Sequence, residues 1–289
     1  MLFSFIKLIR IPQWIKNLFV FVPLVFSKHL FDKDYLISSL IAFLIFCLIS
    51  SIVYVINDIA DVESDRLHPK KKSRPIAAGK INTKQAISIS GILFIVAIIL
   101  MGNYNLRFIS CVGLYFILNI LYSFVLKNIV LLDIFSIAAG FMIRVFAGAF
   151  AISVEISSWL ILTTMFISLF LAIMKRRSEL NLVENHDFVA TRKVLQHYSL
   201  NFADQMATIA SAGVIICYAL YTVAQRTITI FHTDYLIYTT PFVVFGIFRY
   251  MYLVYMNQKG ENTTEVMISD PAMIVNVILY IITTTLIIY

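Results

Sequence analysis

The chain has 289 residues, of which 60% are hydrophobic and only 13% charged; its mean hydropathy is +0.88. A soluble domain carries about 25% charge, so this composition excludes one and indicates a polytopic membrane protein. The net charge of +7 invites a nucleic-acid reading, which the clustering of basic residues at the ends of apolar runs rejects.

In chain order, residues 1–16 read as an amphipathic lead-in lying in the interface, with Lys7, Arg10 and Lys16 among Phe, Leu and Ile. Those cations also argue against a secretory signal, and Trp14 suits a headgroup zone. A short first span follows at 17–25, interrupted by Pro23. The further apolar runs are 36–56, 86–101, 108–126, 131–151, 158–174, 204–224, 235–255 and 271–288, which makes nine helices. The expected fold class is therefore an all-α membrane bundle. No linker or low-complexity segment divides it, so 1–289 reads as one integral-membrane domain. Cys47, Cys111 and Cys217 lie apart, each inside an apolar run, and read as small packing residues.

Orientation follows from charge. With the N-terminus in the cytoplasm, 17 lysines and arginines fall on the cytoplasmic side. Lys28, Lys33, Arg107 and Arg226 fall on the other, and Arg144 and Arg249 lie within spans, completing the 23. Seventeen against four places both large polar segments, 57–84 and 175–203, in the cytoplasm.

The first polar segment carries the chemistry. It reads NDIADVESDRLHPKKKSRPIAAG from Asn57 to Gly79. On a continued helix, Asn57, Asp61 and Asp65 stack on one face with Asp58 beside them. Hard oxygen donors suit Mg2+, which takes one or two carboxylates plus substrate phosphates. Pro69 and Pro75 then end the helix, and the loop carries Arg66, Lys70, Lys71, Lys72 and Arg74. Metal donors followed by cations suit a diphosphate. A juxtamembrane charge cluster would explain the lysines but not the aspartates, which contribute little to topology.

The second polar segment begins KRRSELNLVENHDF. Lys175, Arg176 and Arg177 lead it, Lys175 and Glu179 are spaced to pair, and Glu184, Asp187, Arg192 and Lys193 follow. Arginine grips phosphate as a fork and lysine as a point charge; taken alone, the cluster equally suits a stop-transfer signal. Asp133 and Arg144 share one predicted helix but stand eleven apart, too far to pair directly. Charges at such depth face a cavity or a partner. Arg249, near its helix end, reads as snorkelling. Tyr122 and Lys127 end the fourth span, and Tyr198 follows the second loop, where a tyrosine also serves as an interfacial anchor.

NDxxDxxxD after the second span resembles the first aspartate motif of the UbiA-type intramembrane prenyltransferase superfamily, and nine spans agree. HPKKKSRPIAAG, LLDIFSIAAGFMIRVFAG and KRRSEL resemble its decaprenyl-phosphate phosphoribosyltransferase branch, with similarity from QWIKN to about Tyr198. The resemblance implies nine helices around a central cavity open to the cytosol and to lipid. It implies 5-phosphoribosyl 1-diphosphate as donor and a polyprenyl phosphate as acceptor. The DxxxD motif of prenyl-diphosphate users is missing, with KRRSEL in its place, and Lys71-Lys72 stands where the branch tends to carry Lys-Arg.

On this reading Asn57, Asp58, Asp61 and Asp65 hold Mg2+, with Mn2+ as a second option. Lys71, Arg74 and Lys175 stabilise charge as the C1–O bond breaks. Arg176 and Arg177 hold the 5-phosphate or the lipid phosphate, and Lys16, Lys127, Asp133, Arg144, Glu179, Arg192, Tyr122 and Tyr198 complete the substrate site. The lipid phosphate is already an anion, so no general base is needed. The alternative is a prenyl-diphosphate enzyme acting on an aromatic or other small acceptor. A transporter fits less well, because no broken helix pair marks the midplane. Prenyl length, oligomeric state and downstream pathway stay open.

Overall fold

A computed structural model describes residues 2–67, 71–186, 193–256 and 269–289. Among them all regular structure is helical. Eight helical segments are long and apolar enough to cross a membrane: Lys33–Ala60, Thr83–Met101, Leu106–Phe124, Leu132–Ala151, Ser158–Leu182, Leu200–Val223, Tyr235–Tyr255 and Pro271–Ile288. A shorter apolar helix, Ile11–Phe26, precedes them. The α-helices are α1 (Leu2–Ile9), α2 (Val22–Phe26), α3 (Lys33–Ala60), α4 (Val62–Leu67), α5 (Thr83–Met101), α6 (Leu106–Phe124) and α7 (Leu132–Ala151). They continue with α8 (Ser158–His186), α9 (Leu200–Val223), α10 (Gln225–Phe231), α11 (Thr240–Tyr255) and α12 (Pro271–Ile288).

The chain forms two compact units. One comprises 1–124 and 143–155; the other comprises 125–142 and 156–289, so the division falls inside α7. In the first unit α3 is the central element. Ala42, Ile45, Phe46, Ile49 and Ile52 pack with Val20, Phe108, Val112, Tyr115, Ile143 and Ala147. In the second unit, Phe170, Ile173 and Met174 of α8 pack with Ala203, Ala207, Ala210 and Val214 of α9 and with Tyr250 and Leu253 of α11.

Three expectations about elements are corrected. The lead-in does not simply lie in the interface. Leu8 is fully buried with Val55, Ile76 and Ile81, and the Trp14 indole donates to Ser51 Oγ at 3.1 Å. The run expected as a first span at 17–25 is a 3-10 helix, Ile11–Phe21, followed by the one-turn α2. Pro12 and Pro23, each without an N–H, suit this broken path. The sixth span also overruns its expected end at 174: α8 continues through KRRSEL to His186. Lys, Arg, Glu and Leu are strong helix formers, and the Arg176–Glu179 pair, three apart, staples this extension.

Small residues set the closest helix approach. A Cβ on Gly148 of α7 would stand 2.1 Å from the Val20 carbonyl oxygen, so only glycine admits this backbone contact.

Candidate active site

The donor cluster sits where α3 ends. Asp61 caps that helix with φ −96° and ψ 8°, and α4 restarts at Val62. The i to i−4 pattern survives the kink, since Asp65 N–H donates to the Asp61 carbonyl at 2.8 Å. The expected row of Asn57, Asp61 and Asp65 is nevertheless not the set that converges. Asp58 and Asp65, each 2% exposed, meet through Arg74. Its Nη1 donates to Asp65 Oδ2 at 2.6 Å and to Asp58 Oδ1 at 3.2 Å. Seven residues are nearly two turns, so these two carboxylates share a face. Arg74, expected on the leaving group, here bridges aspartates.

Arg10 is the residue that sequence reasoning missed. Its Nη2 donates to Asp58 Oδ1, and its guanidinium lies 4.8 Å from the Tyr54 ring centroid. Forty-eight residues separate the partners, and the only sequence signal was one of three cations in a mostly apolar lead-in.

The loop after α4 is pinned. Ile76 and Ile81 are buried in the Leu8 cluster, and the Pro75 carbonyl accepts from the N–H groups of Lys80 and Ile81 at 2.9 and 3.2 Å. Gly79 turns this loop at φ +69°, the left-handed region that glycine enters freely.

The oxygen chemistry fits a hard cation arriving with a diphosphate. Asn57 Oδ1 is buried and has no hydrogen-bond partner, and among the described residues no cation pairs with the Asp61 carboxylate. Among the same residues, no three His, Cys, Asp or Glu side chains converge into a ready metal cage. Mg2+ needs no such cage, because one or two carboxylates suffice when substrate phosphates supply the rest.

Deeper in the first unit, Arg144 of α7 is buried. Its Nε donates to Asn17 Oδ1 at 2.7 Å and its Nη2 to the Tyr115 hydroxyl at 2.7 Å. Its guanidinium lies 4.5 Å from the Tyr115 ring centroid. Asn17 is fully buried and donates to Ser50 Oγ at 3.2 Å. Arg144 and Asn17 are 127 residues apart. Lys16, half-buried, precedes Asn17, and Tyr122 lies half-buried near the end of α6.

The second unit holds another charged network. Asp133 opens α7 with 0% exposure and Arg176 of α8 has 1%. Arg176 Nε donates to Asp133 Oδ2 at 2.7 Å, and its Nη1 to Glu179 Oε2 at 2.5 Å. Tyr198 donates to Asp133 Oδ1 at 2.8 Å and accepts from the Leu131 N–H at 2.8 Å. Burial is the main cause holding the Tyr198 hydroxyl above the ordinary phenol range, and Asp133 adds to it, so Tyr198 stays a donor. The expected Lys175–Glu179 pair is therefore replaced by Arg176–Glu179. Arg176, expected on a phosphate, is committed to protein carboxylates. Arg177 donates to Asp204 Oδ1 at 2.8 Å and lies 3.9 Å from the Tyr255 ring centroid. As expected, Asp133 and Arg144 do not pair with each other. Arg249, read as snorkelling, donates to Asp270 through Nε and Nη2. Lys175 and Lys127 are half-buried. Arg192, Asp187 and the side chains of Lys71, Glu184 and Lys193 lie outside the described residues.

Against known proteins, residues 19–277 match the UbiA prenyltransferase family. The decaprenyl-phosphate phosphoribosyltransferase of Mycolicibacterium smegmatis is 36% identical over 220 residues, 75% of this chain and 69% of that one. The enzyme of the same name from Corynebacterium glutamicum is 35% identical over 220 residues, 75% and 66% of the two chains. A UbiA homolog from Archaeoglobus fulgidus, solved with DMAPP and Mg2+, superimposes with a TM-score of 0.72 at 16% identity, covering 99% of both chains. That likeness speaks for the fold, and the family match spans both compact units. The chain is a multi-pass membrane transferase belonging to the UbiA prenyltransferase family.

Proposed function

We propose that this protein transfers 5-phosphoribose from 5-phosphoribosyl 1-diphosphate to a polyprenyl phosphate at the cytoplasmic membrane face, with Mg2+ or Mn2+. The observation that carries the choice of donor is the charge state of the α8 end. A prenyl-diphosphate user would place a second acid pair there. Here Lys175-Arg176-Arg177 stands instead, and the acids beside it are taken: Asp133 and Glu179 by Arg176, Asp204 by Arg177. Asp58 and Asp65 at the end of α3 are paired too, with Arg10 and Arg74, but Asn57 Oδ1 beside them has no partner and no cation among the described residues pairs with Asp61, which favours that end for one diphosphate. Relatives that are decaprenyl-phosphate phosphoribosyltransferases by name, 36% and 35% identical, support the same donor.

In this reading Asn57, Asp58, Asp61 and Asp65 supply the metal's protein donors. Bound there with the diphosphate, the cation would neutralise charge on the leaving group. Arg74 and Lys71 add donors to the same anion. A lipid phosphate oxygen attacks C1 of the ribose, the C1–O bond to diphosphate breaks, and both phosphates are already anionic, so no protein base is required. Catalysis is positioning and electrostatic stabilisation. The lysine and arginine distribution supports a cytoplasmic active face.

The test offers the purified protein in lipid nanodiscs two labelled donors, phosphoribosyl diphosphate with polyprenyl phosphate, and a prenyl diphosphate with an aromatic acid. Ribose label entering lipid is expected. Consumption of the prenyl diphosphate with phosphoribosyl diphosphate ignored overturns the proposal.

A further inference from the structure

Arg10 is aimed at the aspartates by its own backbone. It stands between α1 and the 3-10 helix at φ 52° and ψ 50°, a region that L residues seldom enter. Leu8, two residues before, is locked in the cluster with Val55, Ile76 and Ile81. On the other side, Gln13 N–H donates to the Arg10 carbonyl at 2.8 Å. The side chain lies over the Tyr54 ring and reaches Asp58.

Arg10 and Arg74 both bond the same oxygen of Asp58, while Arg74 also holds Asp65. Two guanidiniums thus balance two buried carboxylates. A buried carboxylate stripped of its partner is strongly destabilising, so the metal-free protein needs this balance. A divalent cation at Asp58 would face the Arg10 charge at short range, and like charges in a half-buried site repel strongly. Both guanidiniums share Oδ1, so a cation that takes this oxygen displaces Arg10, and one that takes Oδ2 still meets the Arg10 charge beside it.

We infer that Arg10 is a counter-charge that holds Asp58 in the metal-free protein and yields it when a divalent cation binds. The inference rests on the reading of Asp58 as a metal donor. Arg10 is thus a positioning residue that weakens binding of the bare cation. A cation that arrives with a diphosphate releases a guanidinium fork into the neighbourhood of new anionic oxygens, which it fits. Cation and diphosphate then bind each other's complex better than the bare site.

The test uses the full chain in lipid nanodiscs without any substrate. Mn2+ binding is followed by electron paramagnetic resonance, and metal-free stability by thermal denaturation. Arg10→Gln should bind Mn2+ about tenfold to a hundredfold more tightly, the equivalent of one charge-assisted hydrogen bond released. The same variant should melt at a lower temperature without metal and recover on adding Mn2+. Arg10→Lys, which keeps charge but loses the fork, should be intermediate, and it decides the matter if Arg10→Gln does not fold. Arg10→Gln/Asp58→Asn should regain metal-free stability and lose the Mn2+ site. Lower melting with unchanged or weaker Mn2+ binding in Arg10→Gln means a structural role only and overturns the inference. Mn2+ binding absent from every variant, the parent included, overturns the metal reading and this inference with it. A parent that binds Mn2+ with the predicted shifts but ignores phosphoribosyl diphosphate refutes the proposed donor alone.

Discussion

Removing Asp133 tests whether the second charged network is structural or ligand-binding. Asp133 and Arg176 are both essentially inaccessible, at 0% and 1%. Breaking a buried pair by truncating one partner typically costs about 3–5 kcal/mol, because the other charge stays buried. Arg176 keeps Glu179 at 2.5 Å, which argues for the low end. Asp133→Ala also removes the acceptor of Tyr198, a further ~1 kcal/mol. We expect Asp133→Ala to lose about 3–4 kcal/mol and Arg176→Met a similar amount. Asp133→Leu/Arg176→Met should recover to within ~1 kcal/mol of the parent, as replacing both partners by apolar groups often does. The assay is reversible unfolding in mixed micelles followed by far-ultraviolet circular dichroism, analysed as a double-mutant cycle. Coupling below about 0.5 kcal/mol would refute the argument. Intact stability in Arg176→Met, with donor affinity falling about 10- to 150-fold, would return Arg176 to a phosphate.

Other perturbations probe the remaining claims. Asp58→Ala and Asp61→Ala should abolish turnover while leaving the protein folded, and full activity of the parent in excess EDTA would remove the metal from the mechanism. Cysteines introduced at Ser73 and Gln196, both exposed, in a background lacking the three native cysteines, should resist an impermeant thiol reagent outside intact cells; labelling from outside reverses the topology. Ser178, on the second polar segment, is unsuitable because it is buried. Gly148→Ala should destabilise by about 1–3 kcal/mol through overpacking against Val20. Gly113→Ala, with nothing within 4 Å of its Cβ position, should be neutral or stabilising by up to ~1 kcal/mol. Equal melting temperatures for the two glycine variants would contradict the close α7 approach.

The spans were legible because each is an apolar run bounded by charge, and most helix bounds fall within a few residues of the expected ones. The α8 end was not, since helix continues wherever propensity and an i,i+3 ion pair support it, whatever the hydropathy does. At the site, the residue types at 57–65 were legible and their partners were not. Periodicity relates neighbours on one helix, so it suggested a row. It carries no information on Arg10 meeting Asp58 from 48 residues away, or on Asn17 meeting Arg144 across 127. The partners of Arg176 were hidden for the same reason: a cation at a membrane face looks free until the buried carboxylate beside it is seen.

The latch on Leu131 has a consequence for biogenesis. Leu131 sits at φ 67°, and its N–H is satisfied by a tyrosine hydroxyl 67 residues further along. Asp133, beside it, is paired with Arg176 and accepts from the Tyr198 hydroxyl. At about 5–20 residues per second of synthesis, α7 is complete for roughly 1–5 seconds before Arg176 has been made. During that interval Asp133 lacks both partners, which favours a wet first turn until the chain has passed Tyr198. Ribosome-arrested chains ending before Arg176 should therefore present Asp133 to an aqueous carbodiimide, and chains carried beyond Tyr198 should hide it; equal labelling at both lengths would show that α7 matures alone.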